Sequence, residues 1–155
     1  MSETLAFVMD PMAGINVDSD TSFAFMLAGA QRGCRILHVN PVDLDLQEGN
    51  LFLRGTYIEV VKKQGEHYQV IEKARVPASD CKAILIRTDP PFDEAYLTAT
   101  WLLSFAERDG VRVINSPHGI RSANEKLYAL EFPELCHETI ITSSKKRDVQ
   151  FLSKN

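Results

Sequence analysis

Ala83, Ile84, Leu85 and Ile86 form a short apolar run that is cut off at once by Arg87-Thr88-Asp89-Pro90-Pro91-Phe92-Asp93. Four consecutive apolar residues before a charged, doubly proline-marked loop predict a buried strand that ends abruptly. Neither proline can donate a backbone hydrogen bond and each has its φ fixed by the ring, so the loop is stiff. Asp93 stands where a helix would begin and can accept from first-turn amides. A strand that ends in Arg-x-Asp and turns into a helix sets a guanidinium and a carboxylate at the carboxyl end of a sheet. In open α/β folds that is the edge where ligands bind. A planar guanidinium there suits a carboxylate or phosphate; the plain alternative is an Arg–Asp surface pair that stabilises the loop.

The chain around this stretch reads as α/β. Leu5 to Met9 is an apolar first strand, stopped by Asp10-Pro11, and its continuous apolarity predicts a position covered on both faces. A small-polar loop follows, with Asp18 or Asp20 as the cap of a helix whose apolar face is Phe23, Met26, Leu27 and Ala30. Gly33 ends that helix, and Arg35 to Val39 is a second strand reached by a right-handed crossover. Residues 44–76 alternate, with a turn at Glu48-Gly49-Asn50, and predict antiparallel strands at the sheet edge or a β-rich insertion. A helix from Asp93 to Arg108 places Leu97, Trp101, Leu102 and Phe105 on one face, and Val111 to Asn115 is a further strand. His118 to Arg121 reads as a turn and Thr139 to Thr142 as a strand. Ser144 reads as the cap of a last helix from Lys145 to Leu152. The loop after the first strand holds neither G-x-G-x-x-G nor G-x-x-x-x-G-K-[ST], so no dinucleotide or P-loop site is signalled.

Composition narrows the partners. The 155 residues suffice for one domain with a real core. A net charge of −4 leaves no basic face for nucleic acid or an anionic membrane. Lys145-Lys146-Arg147 is the one basic cluster, and Asp148 follows it directly. No apolar run approaches the ~20 residues that span a bilayer, and the first residues lack the pattern of a signal peptide. Cys34, Cys81 and Cys136 are odd in number and widely spaced, which fits reduced thiols in the cytoplasm. Neither they nor the four histidines show metal-ligand spacing, so no metal site is expected on the chain's own side chains.

Several segments together resemble one family, the bacterial-type glutathione synthetases, in their N-terminal region. They are Val8-Met9-Asp10-Pro11, Ile15-Asn16, Asp20-Thr21-Ser22-Phe23-Ala24, Arg87 to Asp93, Ile114-Asn115-Ser116-Pro117 and Arg121-Ser122-Ala123-Asn124-Glu125-Lys126-Leu127, in the family's order. The resemblance implies a Rossmann-like pre-ATP-grasp domain: a mostly parallel sheet with helices on both faces, covering residues 1–122. Residues 123–155 would then begin an ATP-grasp domain. The implied reaction joins γ-glutamylcysteine to glycine. ATP, with Mg2+, phosphorylates the dipeptide's cysteinyl carboxylate, and the glycine amine displaces phosphate from the acyl phosphate.

On the same basis Arg87 resembles a peptide-binding arginine able to pair with a substrate carboxylate. Asp89 would fix that guanidinium or take a substrate ammonium, Asn16 would hydrogen-bond the peptide, and Lys126 would contact ATP phosphate. Each has a plainer reading: Asn16 as a turn former, Asp10 and Asp93 as caps, Lys126 as an exposed helix residue. No catalytic residue is expected in this chain. Without the glycine-rich flap and acidic metal ligands of an ATP-grasp domain, the chain alone is expected not to ligate and to bind nucleotide weakly. Homo-oligomers are expected. The competing readings are a non-catalytic assembly domain and an α/β domain for an unrelated small molecule.

Overall fold

The computed structural model describes residues 2–123 and 125–153, except for the side chains of Glu125 and Lys126. The chain divides into two units, Met1–Arg121 and Ser122–Asn155. In the first, β1 (Thr4–Met9) leads through α1 (Thr21–Gln31) to β2 (Arg35–Gln47), β3 (Asn50–Val60) and β4 (Tyr68–Pro77). Then come β5 (Cys81–Arg87), α2 (Glu94–Arg108), β6 (Arg112–Ile114) and α3 (Pro117–Ser122), whose last residue begins the second unit. The six strands form one sheet in the order β4-β3-β2-β1-β5-β6. Strand β1 runs parallel to β2 and β5, and β6 is parallel to β5. The β2–β3 and β3–β4 pairs are antiparallel, so the alternating middle of the sequence is the antiparallel edge of the sheet.

Both faces of β1 are covered because successive side chains alternate across the sheet. Phe7 and Met9 pack with Phe23 and Met26 of α1, together with Met12, Ile15 and Val17 from the loop before that helix. Ala6 and Val8 point the other way, into a core with Leu37, Leu53, Ile84, Ala99 and Leu103, under α2. Helix α1 starts where Asp20 accepts from the amide of Phe23 (2.8 Å) and ends before Gly33 at φ +79°. Helix α2 starts where Asp93 accepts from the amide of Tyr96 (2.9 Å).

The helix faces differ in part from the pattern of large apolar residues. Helix α2 buries Ala99, Thr100, Leu103 and Ala106, while Trp101 is 54% exposed. Two alanines let the helix approach the sheet closely, and Thr100 is satisfied internally by donating to the carbonyl of Leu97 (2.7 Å). In α1 the buried stripe is Ser22, Phe23, Met26 and Gly29, and Ala30 is exposed. Strand β2 runs eight residues beyond Val39, with a register shift between Val39 and Leu44 that accommodates Pro41. Residues 118–121 are helical within α3 rather than a turn, with Pro117 in the first helical position.

The second unit holds α4 (Glu125–Tyr128), 3-10 turns at Ala129–Glu131 and Pro133–Leu135, and α5 (Lys145–Leu152). The segment 139–142 is not a strand, since nothing pairs with it among the described residues. Ser144 occupies the cap position of α5, but its side chain does not cap. Among the described residues no helix is long and apolar enough to cross a membrane.

Candidate functional site

Strand β1 hands its connection to α1 on one face, and β5 hands its connection to α2 on the other. The carboxyl ends of β1 and β5 are therefore a topological switch point, where loops diverge and leave a crevice. Met9 and Arg87 are partners in register there. The apolar run ends at this register, so Arg87 emerges at the carboxyl edge of the sheet.

Among the described residues Arg87 is held from one side. Its Nε donates to Ser22 Oγ (2.8 Å) and one terminal nitrogen donates to Thr21 Oγ1 (2.6 Å). Both hydroxyls sit in the first turn of α1, next to the Asp20 cap. Two hydrogen bonds in the guanidinium plane fix its orientation and leave its remaining N–H groups for another acceptor. A fixed cation beside a helix N-terminus, whose amides carry partial positive charge, can take an anionic group such as a carboxylate.

The expected pairing with Asp89 is not formed: among the described residues Arg87 and Asp89 make no ion pair. Asp89 is exposed, and its backbone amide donates to Asp10 Oδ2 (2.9 Å). Asp10 is thus no helix cap. Its carboxylate ties the β5 loop to the β1 loop, and its carbonyl accepts from His38 Nε2 of β2 (3.0 Å). Thr88 adds a link by donating to the carbonyl of Val8 (3.4 Å). The Pro90–Pro91 bond in the same loop is cis. Burial lifts the Tyr96 phenol of α2 above its ordinary value, and the charge of Asp89 adds to the shift.

Asn16 lies in the loop that leads into α1, on the same edge as Arg87. Its Oδ1 accepts from the amide of Asp18 (3.0 Å) and its carbonyl accepts from the amide of Asp20 (2.9 Å). That is an Asx turn. Its side-chain amide nitrogen makes no hydrogen bond among the described residues.

Two residues overlooked in the sequence fix this loop from the far side. Gln64 straddles Asn16: its Oε1 accepts from the amide of Val17 (3.0 Å) and its Nε2 donates to the carbonyl of Ile15 (3.2 Å). His67, only 3% exposed, donates from Nε2 to the carbonyl of Met12 (2.7 Å) and packs edge-on against Phe23. Sequence separations of 47 and 55 left no local signal for either contact. Thr21 and Ser22 carried a weak one, as hydroxyls just after a capping aspartate. The expectation at Lys126 lies outside the described residues, since its side chain is not among them.

The family model for the N-terminal domain of prokaryotic glutathione synthetase matches residues 4–121, most of the chain. The chain belongs to this family. Among curated relatives, the glutathione synthetase of Vibrio cholerae serotype O1 is 39% identical over 92% of this chain and 45% of its own length. That of Salmonella typhimurium is 36% identical over 97% of this chain and 48% of its own. Escherichia coli O127:H6 has a glutathione synthetase 35% identical over the same shares. The chain thus spans less than half the length of the curated relatives it matches. As the N-terminal domain of prokaryotic glutathione synthetase, the matched region takes in all six strands and the whole switch-point cluster.

Proposed function

We propose that these residues form the γ-glutamylcysteine-binding part of a ligase that joins this dipeptide to glycine with ATP. The observation that carries the reading is the Arg87 guanidinium, held by Thr21 and Ser22 at the switch point with N–H groups to spare. In this reading Arg87 pairs with a carboxylate of the peptide, Asp89 takes its ammonium and Asn16 hydrogen-bonds its backbone through the side-chain amide. Residues 123–155 begin an ATP-grasp domain, and Lys126 contacts ATP phosphate. Among the described residues no group of three or more His, Cys, Asp or Glu converges to hold a metal ion. In this reading the part of residues 1–122 is to bind and orient the peptide. Family membership supports a cytoplasmic homo-oligomer as its setting.

Amide NMR of the 155-residue chain titrated with γ-glutamylcysteine tests this. The reading expects shifts at Asn16, Thr21, Ser22 and Asp89, and no ADP on adding ATP, Mg2+ and glycine. Shifts confined to the opposite sheet edge, around Lys82 and Arg112, would contradict it, and so would glutathione formation by this chain alone.

A further inference from the structure

A second recess lies on the α1 face of the sheet, at the opposite end from Arg87. Helix α1 covers β1 and β2 but leaves β5 and β6 bare on that face. The result is a groove of about 510 Å3. Its floor is Leu5 and Phe7 of β1 and Leu85 of β5, and one wall is the α1 flank Phe25, Ala28 and Gly29. Ile114 of β6 forms the other rim. Ile114 of β6 is 42% exposed, an unusual state for a large side chain on a parallel sheet, and Phe25 on the flank of α1 is 53% exposed. The volume falls in the range of small-molecule sites.

The charges around this groove are segregated. Arg32 follows the last turn of α1, Lys82 is the second residue of β5 and Arg112 the first of β6. All three lie at the amino end of the parallel strands, on a chain whose net charge is −4. Lys82 is paired with Glu3, and Arg32 donates to the carbonyl of Ala28 (2.8 Å). The Arg112 side chain has no hydrogen bond or ion pair among the described residues. An apolar trough with cations at one end complements a molecule with one anionic head and one apolar body. A second copy of this chain would bring Arg112 and Arg32 against themselves, which like-charge repulsion opposes. A helix with acidic residues along its length would find cations at only one end.

We propose that this groove binds a single-headed amphiphilic anion of the medium-chain carboxylate class. The carboxylate sits on Arg112 and Arg32, and the hydrocarbon lies along Phe7, Phe25, Leu85 and Ile114. The site is separate from Arg87, so it stands or falls independently of the peptide reading.

The test is calorimetric titration of decanoate, below its micelle concentration, into the 155-residue chain, with decanol as the uncharged control. Arg112→Glu and the milder Arg112→Gln are compared, each checked for native circular dichroism. The proposal expects saturable one-to-one binding of decanoate, with methyl NMR shifts at Leu85 and Ile114. Arg112→Glu weakens it about tenfold or more, Arg112→Gln less, and decanol binds about tenfold more weakly than decanoate. Three results would overturn it: no saturable binding by the folded chain, equal affinity for decanol, or affinity unchanged in both Arg112 variants.

Discussion

At the scale of single residues, the orientation of the Arg87 guanidinium rests on two hydroxyls. Ser22 is buried and accepts from Arg87 Nε; Thr21 accepts from a terminal nitrogen. Removing the Ser22 hydroxyl leaves a part-buried guanidinium N–H without its partner and frees the guanidinium to turn. Ser22→Ala is expected to lower stability by about 1 kcal/mol and weaken γ-glutamylcysteine binding about fivefold. Thermal melts and titration together check this, and an affinity equal to wild type would refute the positioning role. Cys81 gives a second residue-level expectation. Burial, with the charge of Asp80 adding to it, pushes its thiol up to about 12 from 9.0. The folded state therefore holds this proton more tightly than the unfolded chain. The contribution is whole below the unfolded value and is lost as pH rises toward about 12, by at most about 4 kcal/mol. Urea unfolding between about pH 8 and pH 11 is expected to show a shallower alkaline loss in Cys81→Ala than in wild type. Equal slopes would show that the thiol does not titrate this way.

At the scale of elements, two glycines mark where strands and helices come closest. A Cβ on Gly55 in β3 would meet the His38 carbonyl oxygen at 2.6 Å and Leu37 and Val39 side-chain atoms at 2.9 Å. Backbone on the neighbouring strand cannot yield without parting β2 from β3. On Gly29 of α1 a Cβ would meet Leu5 Cδ1 at 2.7 Å and Ile36 Cδ1 at 3.3 Å, both ends of flexible side chains. Gly55→Ala is therefore expected to cost about 3 kcal/mol. Gly29→Ala should cost about 1 kcal/mol, since better helix propensity offsets part of the clash. Denaturant midpoints decide the order, and a milder Gly55→Ala would contradict the packing described. The elements themselves were largely legible: Asp20, Asp93 and Gly33 punctuate helices by local chemistry that a sequence displays. The buried face of α2 was not, because hydrophobic pattern weighs Trp101 and Phe105 while the sheet selects the small Ala99 and Ala106. The clamp of Gln64 and His67 on the Asn16 loop was invisible for another reason. It joins segments about 50 residues apart by polar contacts that leave no periodic trace.

At the scale of the whole molecule, the candidate site follows from where the strand order reverses. Strand order puts β1 and β5 side by side with their helices on opposite faces, so the Asp10 and Arg87 loops, tied together through the Asp89 amide, share one carboxyl edge of the sheet. The sequence showed Arg87 at a strand end, but the α1 hydroxyls that hold it come from 65 and 66 residues away. That distance explains why Asp89, its near neighbour in sequence, drew the expectation instead. The same topology leaves β5 and β6 bare at the other end and so creates the second groove. The most direct test of the central claim is calorimetric titration of γ-glutamylcysteine into the 155-residue chain, with Arg87→Ala beside it. The expected result is saturable one-to-one binding that Arg87→Ala weakens by about tenfold or more while the variant stays folded. Affinity unchanged by Arg87→Ala, or no saturable heat from the folded wild type, would contradict it.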